Sequence, residues 1–225
     1  MKKIIIAIIS IFNIMFAVSL FASPRVEGLS VLYFFSSNCP HCARVTPIIK
    51  ELSATFPVQG LLYGKGDIGS MPFDVKKGDK AASKQYGVTG VPSLVILQNK
   101  AFRMKINGER DIKNAPLILK ALQRGALSVS EVVEKGAERR YIVTAWVVSR
   151  GEYFRDPRFF LTDRQKTISV KPWLPLEAVK APPRGKRTRP RLMSDVIDNV
   201  VVLEGALTGS GPDGQFIAER EISIE

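Results

Sequence analysis

Cysteine and histidine are almost missing from this chain: 225 residues contain two cysteines and one histidine. Structural zinc needs four ligands, usually cysteine or histidine, so a zinc site is excluded, and no other metal or cofactor is called for. Covalent haem attachment needs CxxCH, and the residue after Cys42 is Ala43, which excludes it too. Residues 137–225 hold no cysteine or histidine, so thiol and imidazole chemistry cannot reside there. Extreme composition is absent as well. A hydrophobic fraction of 45% and a charged fraction of 24% are those of an ordinary globular protein. Nor is the charge concentrated in one half, although the net charge is +12. Residues 23–136 carry 16 basic and 9 acidic side chains, and residues 137–225 carry 15 and 12. Neither half is a dedicated polyanion binder on charge alone; the surplus suits steering of acidic protein partners or attraction to anionic lipid.

Charge is also missing between Lys3 and Arg25. Lys2 and Lys3 precede a run of apolar residues with few polar interruptions, and "SPR" then returns the chain to polar character. This is the layout of a secretory signal peptide over residues 1–22, with Ala22 before the cut, or Ala17 and Ser19 at a second cut site. A retained membrane anchor is the alternative, since Ile4 to Ala22 is nearly long enough to span a bilayer. Either reading puts the working part outside the cytoplasm, in the periplasm or an equivalent compartment where disulfides persist.

What is present is concentrated in "SSNCPHCARVTP", residues 36–47, which holds both cysteines and the histidine. Joining residues three apart closes a very short loop, worth about 2 kcal/mol as a staple before strain. A metal clamp lacks ligands. The pair therefore reads as a reagent that exchanges disulfides. Upstream, "LSVLYFF" (29–35) reads as a buried strand. From Pro40, Val45, Ile48, Ile49, Leu52 and Phe56 recur at helical spacing, and Pro40 suits the first turn. Cys39 thus falls at a helix N-terminus, where unpaired N–H groups and the positive dipole end favour a thiolate. Cys42, one turn deeper, is placed to resolve a mixed disulfide, and Pro47 should kink the helix. A second stretch, "YGVTGVPSLVIL" (86–97), sets Pro92 directly before an apolar β-run, so it belongs at a strand's start or edge.

Together these elements resemble the thioredoxin fold: a strand, CxxC, a helix with proline five residues on, and a G-V-x-G-x-P turn entering a strand. Cys39, Cys42, Pro47, Gly87, Gly90 and Pro92 match, over about residues 28–124. The resemblance implies that the Val91–Pro92 bond is cis, faces the cysteines, and presents Val91 backbone to a substrate chain. The dipeptide Pro40–His41 makes the motif similar to that of the oxidising DsbA group, in which His41 would stabilise the Cys39 thiolate. Stabilising the reduced form strengthens the oxidant. Between thioredoxin and DsbA the span is about 150 mV, near 7 kcal/mol for two electrons. Two departures from thioredoxins proper argue against a cytoplasmic-style reductase: Tyr33 stands where they carry a buried Asp, and NCPHC replaces WCGPC. The interval from Gly60 to Tyr86 is too short for the helical insertion of DsbA itself.

Along the rest of the chain, "LLYGKGD" reads as a strand, "SMPFDVKKGD" (70–79) as a loop and "DKAASKQYG" as a short helix. "AFRMKING" completes a hairpin with 93–98, and "NAPLILKALQRG" is a closing helix. The thioredoxin-like domain therefore runs over 23–126. Residues 127–138 read as a helical linker with a capping box from Ser128 to Glu131. Five short strands follow over 139–225, with "LMSDVIDN" as a helix before the fourth, and resemble a small OB-fold barrel. Trp146, Tyr153, Phe159 and Trp173 interleave with Arg150, Arg155, Arg158 and Lys171, and "PRGKRTRPR" (183–191) is basic. These aromatics fall at strand positions that fill a barrel, so docking to an envelope partner is favoured over nucleic-acid binding. The expectation is an α/β thioredoxin fold followed by a small all-β domain, acting as an extracytoplasmic thiol–disulfide oxidoreductase. Its partners would be exported proteins with cysteines and a membrane redox partner. The alternatives are a reductase or isomerase of the same fold, or a non-enzymatic assembly factor docking through the β domain.

Overall fold

The computed structural model describes residues 27–63, 71–78, 80–137, 139–150, 158–171, 199–209 and 214–224. The signal peptide expected over 1–22, Tyr153, Arg155, Trp173, the basic run 183–191 and all but the last residue of the helix expected over 192–199 lie outside them.

Alternation along β1, Leu29–Phe35, decides the first domain. Leu29, Val31, Tyr33 and Phe35 point to one core, while Phe34 points to a second on the opposite face. A strand buried on both faces must sit at the centre of a sheet. It does: the order is β3-β2-β1-β4-β5, with β2 Val58–Leu62, β3 Asp74–Lys77, β4 Ser93–Gln98 and β5 Ala101–Asn107. β1 and β2 run parallel, as do β2 and β3, while β4 is antiparallel to both β1 and β5. Helix α1, Pro40–Ser53, lays Cys42, Val45, Ile49 and Leu52 on the first face. Pro47 lies inside it, without an N–H for the carbonyl four residues earlier. Helix α2, Lys80–Gln85, covers the second face through Ala82. Helix α3, Gly108–Ile112, follows the hairpin, and α4, Ala115–Gln123, returns to the first face.

Two segments differ from the sequence reading. Residues 74–77, expected within a loop, form edge strand β3 on β2. The strand expected at 61–67 begins earlier, at Val58 paired with Val31. Gly60, which looks like turn punctuation, is a mid-strand residue there. A Cβ on it would lie 2.9 Å from the Phe73 ring and 3.1 Å from the Phe35 ring, so any larger residue would have to push these aromatics aside.

The second domain is a closed barrel ordered β10-β8-β7-β6-β9. Its strands are β6 Arg140–Arg150, β7 Arg158–Thr162, β8 Thr167–Lys171, β9 Val200–Thr208 and β10 Gln215–Glu221. Only the β8–β10 pair is parallel, so the barrel is mixed. Its core holds Val143, Val147, Leu161, Ile168, Leu203 and Phe216. Gly205 permits the β9–β10 crossing, because a Cβ would fall 2.1 Å from the Ile217 carbonyl oxygen. The chain α/β domain, then closed barrel is the architecture expected. Both Trp146 and Phe159 are buried.

Between the two, α5 (Val129–Lys135) carries the expected capping box: Ser128 Oγ accepts from Glu131 N–H, and the Glu131 carboxylate accepts from Ser128 N–H at 2.7 Å. Val129 and Val132 are buried in the barrel core. Leu127 N–H donates to Ile142 O at 2.8 Å, and Thr144 N–H donates to Leu127 O at 2.9 Å. Several contacts among the described residues tie the barrel and the linker helix to the α/β domain. Trp146 and Val200 enter the first domain's core. Arg164 makes two bonds of 3.0 Å to the Asp111 carboxylate on α3. Arg103 of β5, with only 6% of its side chain exposed, donates to Glu131 at 3.1 Å and to Ala126 O at 2.8 Å.

Glu131 therefore serves as a cap residue and as the counter-ion of an enclosed guanidinium. Glu131→Ala should cost about 2 to 4 kcal/mol in urea unfolding, since losing a cap and stranding a buried charge each destabilise. Glu131→Gln, which keeps the cap acceptor, should cost less. Equal costs for the two variants would remove the argument.

Candidate active site

Packing of α1 against β1 places its first residues, and with them both sulfurs. Cys39 is the N-cap, in extended conformation, and its sulfur accepts the Cys42 N–H at 3.1 Å. That N–H is one of the donors a helix start leaves unpaired. Pro40 opens the helix. Both cysteines are free thiols; Cys39 is partly exposed and Cys42 buried. The Val91–Pro92 bond is cis, as the resemblance implies, and Val91 O lies 3.9 Å from Cys39 Sγ. Two residues pin this turn. Ser93 donates to Gly90 O at 2.7 Å, and Gly108 N–H donates to Pro92 O at 2.9 Å. Cys39, Cys42, Val91 and Pro92, from segments about fifty residues apart, are thus brought together.

Burial, and then the hydrogen bond with Cys39, pushes the Cys42 thiol up to about 12. Tyr33 donates to Cys42 O at 3.2 Å, and Thr46 donates to the same oxygen at 2.9 Å. Burial raises the Tyr33 phenol far above its ordinary range, so this position holds a neutral donor at physiological pH.

His41 takes its partners from a cluster that the sequence did not reveal. Its Nδ1 lies 3.0 Å from Glu109 Oε2 and 2.7 Å from Arg44 Nη2. A guanidinium only donates and a carboxylate only accepts. A proton on Nδ1 therefore selects Glu109 as its partner, and a bare Nδ1 selects Arg44. Arg44 Nε also donates to Glu109 at 2.7 Å, and Lys113 Nζ lies 3.1 Å from Oε1. Hydrogen bonds from His41, then Arg44, then Lys113 hold the Glu109 carboxyl down at about 2. Arg44 was within reach of sequence reasoning, three residues from His41 on one helix. Glu109 was not: it sits on α3, which has no apolar periodicity of its own.

A family model described as Thioredoxin matches residues 20–120. A thioredoxin of Chlamydia caviae is 30% identical over 91 residues, which cover 40% of this chain and 79% of that protein. The chain belongs to the thioredoxin family. It is a thiol–disulfide oxidoreductase with Cys39 and Cys42 as its CXXC pair. A thioredoxin of Chlamydia trachomatis is also 30% identical, over 79 residues covering 35% of this chain and 68% of the relative. Among solved structures, StoA from Bacillus subtilis is similar at 14% identity and a TM-score of 0.34, covering 41% of this chain and 82% of that one. A thioredoxin from Aeropyrum pernix follows at 21% identity and 0.31, covering 41% and 77%. The family match ends before the barrel.

The thiol of Cys42 links folding to pH in this thioredoxin-family domain. Its folded value near 12 exceeds the ordinary value of 9.0. The folded state therefore keeps a proton that the unfolded state gives up. The resulting stability is complete below about pH 9 and is lost as pH rises towards 12. Urea midpoints of the native chain and of Cys42→Ala should converge over that interval; parallel curves would show that Cys42 does not titrate this way.

Proposed function

We propose that this protein is an extracytoplasmic disulfide oxidase for exported proteins. The observation that carries the reading is the Cys39 sulfur, which accepts the Cys42 N–H in the first turn of α1 and lies beside the backbone of Val91. A hydrogen bond from an N–H to sulfur strengthens when the sulfur becomes an anion. In the oxidising direction a client thiolate attacks Cys39 of the Cys39–Cys42 disulfide. One S–S bond breaks, one forms, and Cys42 leaves and takes up a proton. The client's second thiolate then attacks the client sulfur of the mixed disulfide, and Cys39 leaves as a thiolate. The client loses two electrons and the pair gains them; a membrane redox partner would remove them again.

Several features support that direction. Cys42, held as a thiol by burial, is a poor nucleophile for the back-attack that would return the client reduced. Cys39 carries the exposed sulfur, with Pro40 and His41 as the intervening dipeptide, the same pair as in the oxidising group that the motif resembles. Val91 and Pro92 offer an edge along which a client backbone would lie. The neutral Tyr33 replaces the carboxyl of thioredoxins proper. The leader pattern supports a compartment where such oxidation is useful.

For the barrel we propose docking to an envelope protein. What supports an OB-like reading is the strand order, with β6, β7 and β8 antiparallel in turn, β10 parallel to β8, and β9 closing the barrel between β10 and β6. Burial of Trp146 and Phe159 removes two of the aromatics on which nucleic-acid bases would stack.

Cys39→Ala should abolish exchange with client thiols, and Cys42→Ala should accumulate clients bonded to Cys39, visible as mass shifts on non-reducing gels. Equilibration with glutathione should give a potential well above the value of about −270 mV for thioredoxin. A potential near that value would overturn the oxidant direction, and active Cys39→Ala would overturn the whole reading.

A further inference from the structure

The cluster around Glu109 forms one wall of a groove that begins at Val91 and Pro92, beside the Cys39 sulfur, and continues past His41 to Arg110 and Lys113. Its charges are arranged in two depths. Glu109 is the inner group, with 17% of its side chain exposed. Arg44 and Lys113 stand outside it, 52% and 59% exposed. Glu109 Oε2 takes the Arg44 Nε donor and Oε1 takes Lys113 Nζ, so one enclosed carboxylate fixes two cations whose free ends face water. A guanidinium has five N–H donors and an ammonium three. The bonds to Glu109 and His41 leave further donors on both. Arg110 also lines the groove. Arg44 and Lys113 thus set two positive charges around one negative charge, and the negative one is already satisfied. The wider field has the same sign, since residues 23–136 carry 16 basic against 9 acidic side chains.

We propose that this rim selects clients whose reacting cysteine is flanked by aspartate or glutamate, with Lys113 and Arg44 as specificity-determining residues. An extended chain advances about 3.3 Å per residue, so a groove that starts at the reactive sulfur meets the residues next to the client's cysteine. A carboxylate there finds spare donors held in place by Glu109, while a lysine meets like charge. The positive field also raises the encounter rate of acidic segments. The inference rests on the reading of Cys39 and Cys42 as an exchanging pair.

The test uses the full chain in its disulfide form and two cysteine peptides, identical except for glutamates or lysines on both sides of the cysteine. Each second-order rate of disulfide reduction is divided by the same peptide's rate with hydroxyethyl disulfide, a neutral reagent, which cancels intrinsic thiol reactivity. The normalised rate should favour the glutamate peptide by about three- to tenfold at low ionic strength, the scale of a few exposed charge pairs. The preference should shrink in 1 M salt, where screening acts over only about 3 Å. Lys113→Glu should lower or reverse the ratio, and Lys113→Gln should lower it by less. A ratio near one, a preference for lysine, or a ratio unmoved by salt and by both variants overturns the inference while leaving exchange intact. A chain disulfide that neither peptide reduces overturns the exchange reading itself, and this inference with it.

Discussion

Everything at the reactive end of this molecule depends on the burial of one helical stripe. Val45, Ile49 and Leu52 are withdrawn from water against Val31, Tyr33 and Phe35 of the central strand. Each such side chain contributes about 1.5 to 3 kcal/mol when fully buried. That burial fixes the helix axis, and the axis fixes where the first N–H groups point. Cys39 occupies the cap position because the apolar stripe begins one turn later, so its sulfur receives a donor at 3.1 Å. Cys42 falls on the buried side of the same turn and keeps its proton. Two chemically identical residues acquire different burial and different partners from a rotation of three positions along one helix.

The hairpin that follows supplies the opposite wall. Val91 and Pro92 are held facing Cys39 by the Ser93 hydroxyl on Gly90 O, by the Gly108 N–H on Pro92 O, and by packing of Val91 against the core. The short helix α3 leaves that wall at Gly108 and faces both ways. Glu109 turns towards His41 and Arg44, Asp111 receives Arg164 from the barrel, and Ile112 is buried in the core between them. Five residues therefore join the redox motif, the first core and the second domain. Arg164 also stands 5.2 Å over the Trp146 ring, where a cation and an aromatic face attract.

The barrel is attached by packing as well as charge. Val129 and Val132, on the helix between the domains, are buried among barrel residues, while Trp146 and Val200 of the barrel belong to the first core. Charges at this boundary are partnered where they are enclosed, as Arg103 is by Glu131. The family match ends at residue 120, before the residues that make this attachment.

Much was legible in the sequence because it is local. The CPHC spacing, the helical step of Val45, Ile49 and Leu52, the Ser128–Glu131 cap and the five β-segments each depend on neighbours within about ten residues. The scarcity of cysteine and histidine by itself excluded zinc and haem and left exchange chemistry to a single pair. What stayed hidden was non-local. Strand β3 is polar and short, and it exists because β2 offers it an edge. Gly60 looks like a turn until Phe35 and Phe73 are brought against it. Glu109 lies 68 residues from His41, and no periodicity or motif connects them. The sequence alone determined which atoms could react, since a reactive thiol is a matter of composition and adjacent backbone. Tertiary structure decided which thiol is buried, what surrounds the other and which charges line its approach, because burial and hydrogen bonding depend on segments that meet only when the chain has folded.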